Sequence, residues 1–104
     1  QAIELWTADY ANAKTERART QALQRLMQGI ESGLDHGLTV HGGHGLTYRN
    51  VGPVAELGGF EEFNIGHSIV ARAIFVGMRE AVREMKRLLD GATARIAIID
   101  SEPE

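Results

Sequence analysis

Three times along this chain a short apolar run of strand character gives way to a stretch of helical periodicity, and that alternation restricts the fold more than any other feature of the sequence. Ile3-Glu-Leu-Trp-Thr7 alternates large apolar with polar residues, so Glu4 and Trp6 face away from Ile3 and Leu5. After a polar connection from Ala8 to Thr15, the residues Leu23, Leu26, Met27, Ile30 and Leu34 recur at helical spacing. They predict a long helix over about 15–32 with this stripe buried, while Glu16, Arg17, Arg19 and Arg25 lie largely on its solvated side. Gly33 and Gly37 are expected to close the helix, with His36 a polar turn residue between them. The second strand, Leu38 to His41, leads through a glycine-rich loop into a short helix over Val51 to Leu57. Asn50 is its expected cap, and Pro53 falls in the first turn, where proline is tolerated. Gly58 and Gly59 end that helix, Phe60 to Ile65 forms the third strand, and Gly66-His67-Ser68 opens another helix. Gly77 marks a break before an amphipathic helix from Met78 to Leu89, with Met78, Val82, Met85 and Leu89 on its buried face.

The resulting order of strand, helix, strand, helix, strand, helix, helix implies an α/β fold with parallel strands joined by right-handed helical crossovers. Three such units cannot close a barrel. They fit the last three of the eight units of a TIM barrel, in which the active site lies at the C-terminal ends of the strands. Phosphate is often bound there after strands seven and eight, by a short extra helix. Residues 1–90 are thus expected to supply strands six to eight with their helices and that extra short helix, and residues 91–104 a C-terminal tail. Within the tail, Arg95-Ile-Ala-Ile-Ile-Asp100 reads equally as a strand, a partner contact or a loose end. Because the chain opens at Gln1 without an initiator Met and already inside a strand-like run, it is expected to be a piece of something longer.

Two glycine-flanked histidine clusters carry the chemistry. His41-Gly-Gly-His-Gly45 and Asn64-Ile-Gly-His67 each follow a strand, and the second then enters a helix. Glycine leaves backbone amides open to a close approach, and free amides at the start of a helix favour an anion, so Gly66-His67-Ser68 is suited to a phosphate. Glu4 has two explanations from the residues alone: an exposed strand carboxylate, or an acid pointing into a barrel near its site. For His41 a strand-end histidine held by its neighbours is the simpler reading. Arg49 and Arg72 are expected in helix-surface or inter-subunit pairing, and Trp6 and Tyr48 as packing residues with satisfied polar tips.

Composition narrows the classes. A net charge of −3 without a basic block argues against nucleic acid. The absence of cysteine excludes disulfides, thiolate catalysis and Cys-ligated zinc, and with no signal-like start it favours a cytoplasmic location. No apolar run approaches the roughly 20 residues that cross a bilayer, so no membrane association is expected.

Gly43-His-Gly-Leu-Thr-Tyr-Arg-Asn-Val51 followed by Asn64-Ile-Gly-His-Ser-Ile-Val-Ala-Arg-Ala73 resembles the pyridoxine 5′-phosphate synthase family, the ring-closing enzymes of vitamin B6 biosynthesis. The likeness extends from Ile3-Glu-Leu-Trp-Thr7 to Gly77–Leu89, which leaves out only the tail. It implies about the C-terminal two-fifths of a barrel enzyme. Such enzymes condense 3-amino-2-oxopropyl phosphate with 1-deoxy-D-xylulose 5-phosphate to give pyridoxine 5′-phosphate, phosphate and water, with no metal or organic cofactor. By resemblance His44 is the proton donor, Gly45 a backbone contact to substrate, Gly66 and His67 the pair on a substrate phosphate, and Glu4 the strand-six acid that supports the transition state. A three-histidine metal site of His41, His44 and His67 is set aside, because the glycine spacing suits a phosphorylated ligand and the resemblance needs no metal.

Two departures stand out. The family commonly has His-Thr-Gly after the strand-six acid, where this chain has Trp6-Thr7-Ala8. The residues that the family places in its first barrel half, including another catalytic histidine and a glutamate base, fall outside this sequence. The expected partners are therefore phosphorylated small molecules, the N-terminal half of the same barrel and further copies in a homo-oligomer, and the chain alone is expected not to turn over. The alternative is a non-catalytic phosphate-binding half-barrel that assembles with itself.

Overall fold

The computed structural model describes residues 1–89 and 94–98, so most of the tail expected over 91–104 lies outside the described residues. Four strands form one wholly parallel sheet in the order β1-β2-β3-β4: β1 (Ala2–Trp6), β2 (Thr39–Gly43), β3 (Phe60–Asn64) and β4 (Arg95–Ala97). Between them run α1 (Ala8–Ala11), α2 (Glu16–Asp35), α3 (Val51–Glu56), α4 (His67–Val76) and α5 (Met78–Leu88). A parallel sheet whose strands are joined through helices fits part of a TIM-barrel-like fold. Among the described residues no helix is long and apolar enough to cross a membrane.

The long helix starts where a cap permits, since the Thr15 side chain accepts the Ala18 amide hydrogen at 3.0 Å. It ends three residues later than expected. Gly33 lies inside it and fully against the sheet, where an added Cβ would come within 2.8 Å of a Val40 methyl. Gly37, at φ +74°, makes the turn instead, and His36 caps the helix with its ring Nδ1 2.7 Å from the Ser32 carbonyl. The same close approach rotates the buried stripe. The line touching the sheet is Ala22, Leu26, Ile30 and Gly33, whereas Met27 and Leu34, expected in the core, are 45% and 50% exposed. Small residues let this helix settle on the strands, and the larger apolar ones one position around are carried to its flanks.

Gly77, at φ +89°, separates α4 from α5 as expected. Met85, Ala81 and Leu89 are buried under α5, while Met78, at its first position, is left 46% exposed. The two helices are clamped by Arg72, whose Nε and Nη2 reach the Glu84 carboxylate at 2.9 and 3.2 Å. That hydrogen-bonded guanidinium holds the Glu84 carboxyl below its usual range. The Tyr48 hydroxyl donates to the Ala81 carbonyl at 2.7 Å, which satisfies its polar tip.

One face of the sheet meets the helices and the other does not. Val40 and Phe63 point toward the helices and are fully buried with Ile69 and Met85. On the opposite face the register aligns two levels of side chains: Glu4, His41, Glu62 and Arg95 on one, and Trp6, Gly43, Asn64 and Ala97 on the next toward the strands' C-terminal ends. In parallel strands this alternation gathers these side chains, level by level, on a single surface.

Candidate functional site

The site is built around a backbone conformation that its residue does not favour. His44, directly after β2, sits at φ +93°, the one non-glycine residue at positive φ among those described. Such a conformation costs on the order of 1–3 kcal/mol and persists only where its surroundings over-determine it.

Those surroundings reach the loop from both sides. At the end of β1 the fully buried Thr7 donates its amide hydrogen to the Gly43 carbonyl at 2.8 Å and its hydroxyl to the His44 carbonyl at 2.6 Å. From α1 the Tyr10 hydroxyl donates to the Asn50 carbonyl at 2.6 Å, and burial raises the pKa of that phenol. Within the loop the Asn50 side chain accepts the Thr47 amide hydrogen at 2.7 Å and donates to the Gly45 carbonyl at 3.1 Å. Asn50 thus occupies the cap position before α3 but turns its side chain back on the loop, without capping the helix. From α4 the Ser68 hydroxyl donates to the Leu46 carbonyl at 3.1 Å.

Gly45 follows at φ +80°, and a Cβ there would stand 2.8 Å from that of Ala11. Gly45→Ala is therefore expected to cost about 1–3 kcal/mol, from unfavourable backbone conformation together with a clash against a short, rigid side chain. Urea unfolding of the variant beside the parent chain measures this, and identical midpoints would contradict it.

Gly66 is the residue before α4, and His67 is the first residue inside it and exposed. Since β2 and β3 are parallel, His44, Gly45, Gly66 and His67 all stand at the same end of the sheet, and the Ser68 bond ties the loop after β2 to the first turn of α4. Glu4 lies within β1 on the face away from the helices, exposed, with its carboxylate over the bare Cα of Gly43: a Cβ on that glycine would be 2.5 Å from Glu4 Oε2. The absent side chain makes room for the acid.

Trp6 departs from expectation. It is 63% exposed, and its ring lies against that of His44 with centroids 5.2 Å apart at a 50° tilt. It stands on the polar face of the sheet, where the apolar core cannot cover it. His41 is in mid-strand, half-buried between Glu4 and Glu62, and Arg72 is committed to Glu84. Among the described residues no group of three histidine, cysteine, aspartate or glutamate side chains is placed to hold a metal ion, so His41, His44 and His67 do not assemble into one.

Two contributors escaped the sequence reading. Thr7 sits in the middle of a motif noted only for its neighbours, and nothing local shows that it reaches across to residue 44. Asn64, on the same level as Trp6 and Gly43, buries its side-chain oxygen without a hydrogen-bond partner among the described residues. Buried acceptors are rarely left so. Its place in the Asn-Ile-Gly-His run was the available signal.

The arrangement offers an imidazole on a glycine-flanked loop, a helix start one loop away and a carboxylate on the adjoining strand. The sequence is similar to that of known proteins. Residues 1–91 match the family described as "Pyridoxal phosphate biosynthesis protein PdxJ". The chain is 53% identical over 91 residues to the pyridoxine 5′-phosphate synthase of Syntrophotalea carbinolica, an alignment covering 88% of this chain and 38% of that protein. It is 55% identical over 89 residues to the same-named protein of Gloeothece citriformis, covering 86% and 37%, and 52% over 87 residues to that of Magnetococcus marinus, covering 84% and 36%. The chain therefore spans less than two-fifths of the length of these relatives. With a match running from the first strand through α5, the chain belongs to the PdxJ family of pyridoxal phosphate biosynthesis proteins.

Proposed function

We propose that residues 1–90 supply strands six to eight of an eight-stranded barrel that works as a pyridoxine 5′-phosphate synthase, with residues 91–104 as a tail, and that activity requires the first five β/α units. In this reading 3-amino-2-oxopropyl phosphate and 1-deoxy-D-xylulose 5-phosphate condense to pyridoxine 5′-phosphate, with release of phosphate and water. The observation that carries it is the positive-φ His44, held by Thr7 from one side and linked to the α4 start through Ser68 from the other.

Joining an amine to a ketone and then eliminating water and phosphate requires repeated proton transfers, for which imidazole is suited near neutral pH. His44 donates a proton to a departing oxygen, and its fixed backbone sets where that proton is delivered. Glu4 faces the positive charge that develops on nitrogen during imine formation, and its carboxylate acts more strongly once water is excluded from a closed barrel. Gly45 presents backbone to substrate at close range. Gly66 and His67 hold a substrate phosphate with amides at the positive end of a helix and an imidazole beside them. The Asn64 oxygen supplies an acceptor for a substrate amine or hydroxyl.

The test is reconstitution. Mixing the chain with a companion polypeptide of roughly 130–150 residues that carries the first five units should restore phosphate release from the two substrates. In that mixture His67→Ala should raise KM about tenfold or more while kcat changes little, the pattern of a lost binding contact. Binding of phosphate without any turnover in the reconstituted sample would favour the non-catalytic half-barrel instead.

A further inference from the structure

The family match ends at residue 91, yet one more strand joins the sheet beyond it. β4 pairs in parallel with β3 through Glu62↔Arg95, Phe63↔Ile96 and Asn64↔Ala97, and the Ile65 amide extends the ladder to the Ala97 carbonyl at 2.9 Å. Ile96 packs partly buried against the core, and Arg95 Nη2 lies 3.3 Å from Glu62 Oε1. Closure of a barrel leaves no edge, because the last strand pairs with the first. If β1 to β3 are strands six to eight, a reading on which this inference rests, the edge taken by β4 is the one that strand one must use.

We infer that the segment Arg95–Ala97 is a stand-in for strand one, and that the β3 edge is a docking surface for an incoming parallel strand of the missing barrel half, which displaces the segment as the barrel closes. The stand-in is built to yield. It spans three residues where β1, β2 and β3 span five each. Its one ion pair among the described residues is made by an arginine whose side chain is 70% exposed, a weak and salt-screened contact. While docked it covers backbone groups that would otherwise recruit another copy of the chain edge to edge. The competing strand pairs along more of β3, so it prevails when present and the tail prevails when it is absent. The population open to the partner is thereby reduced, and with it the apparent affinity.

The experiment uses a reversible lock. The chain has no cysteine, so Glu62→Cys with Arg95→Cys introduces a single possible crosslink between β3 and β4, at a separation that neighbouring strands give and a disulfide tolerates. Association with the companion polypeptide is followed by surface plasmon resonance for the parent chain, for the double variant oxidised and reduced, and for a chain ending at Gly91. The inference expects the oxidised form to bind at least about tenfold more weakly than the same variant reduced, and the shortened chain to bind more tightly than the parent. Equal affinities across all four samples would overturn the displacement while leaving the barrel intact as an idea. Failure of the companion to bind any of them would overturn both. Ile96→Lys, which unseats the segment without shortening the chain, should behave as the shortened form does, and parent-like binding by it would also count against the inference.

Discussion

His44→Ala in the reconstituted enzyme is expected to lower kcat by about 10²- to 10⁴-fold, the usual worth of a positioned acid or base, with a much smaller change in substrate binding. Single-turnover and steady-state measurements of phosphate release check both halves of the statement. The histidine's backbone adds a second readout that few catalytic residues offer. At φ +93° alanine suffers the same conformational penalty as histidine, whereas glycine does not. His44→Gly should therefore be no less stable than His44→Ala, by a margin of up to about 1 kcal/mol, although it is equally inactive. A glycine variant that keeps turnover would remove His44 from the centre of the mechanism, and one that melts well below the alanine variant would contradict the backbone penalty at that position.

Phe63→Ala carries the largest expected effect on folding. Phe63 is fully buried near the C-terminal end of β3, and its ring lies 4.8 Å from that of Phe60 at a 44° tilt, the pair filling the space between sheet and helices. Truncating a buried phenylalanine costs about 3–5 kcal/mol, which is a large share of the stability of a chain this short. Denaturant unfolding followed by circular dichroism should show the variant largely unfolded where the parent is folded. Phe63→Leu, which keeps most of the apolar volume, should recover much of the loss. A small effect of alanine would mean that β3 is not the core strand of this sheet.

The glycine and histidine punctuation made the site's outline legible. His44-Gly45 turns the backbone at the end of β2 and Gly66-His67 opens α4 after β3, and parallel strands bring both to one end of the sheet. What holds that outline was not legible. Thr7 with His44, Tyr10 with Asn50 and Ser68 with Leu46 are separated by 37, 40 and 22 residues, and threonine, tyrosine and serine are at home on any surface, so nothing local reports their partners. The rotated stripe of α2 failed for a related reason. Periodicity locates an apolar face to within one residue, and it was the small size of Ala22 and Gly33, a packing property, that chose among the candidates. Trp6 is more exposed than a packing residue because alternation along β1 puts it with Glu4 on the face away from the helices, where its ring meets only that of His44 among the described aromatic contacts. The strand in the tail stayed open because three residues are too few to carry a period.

The bonds from Thr7 and Ser68 have one further consequence. With the His44 carbonyl fastened to Thr7 at the end of β1 and its loop tied to the first turn of α4, the proposed proton donor has little backbone freedom, so on that proposal little reorganisation energy is left to spend here between one elementary step and the next. On the same proposal, any gate that opens for substrates and shuts for chemistry would swing from loops outside this portion of the chain, against a wall that it keeps still.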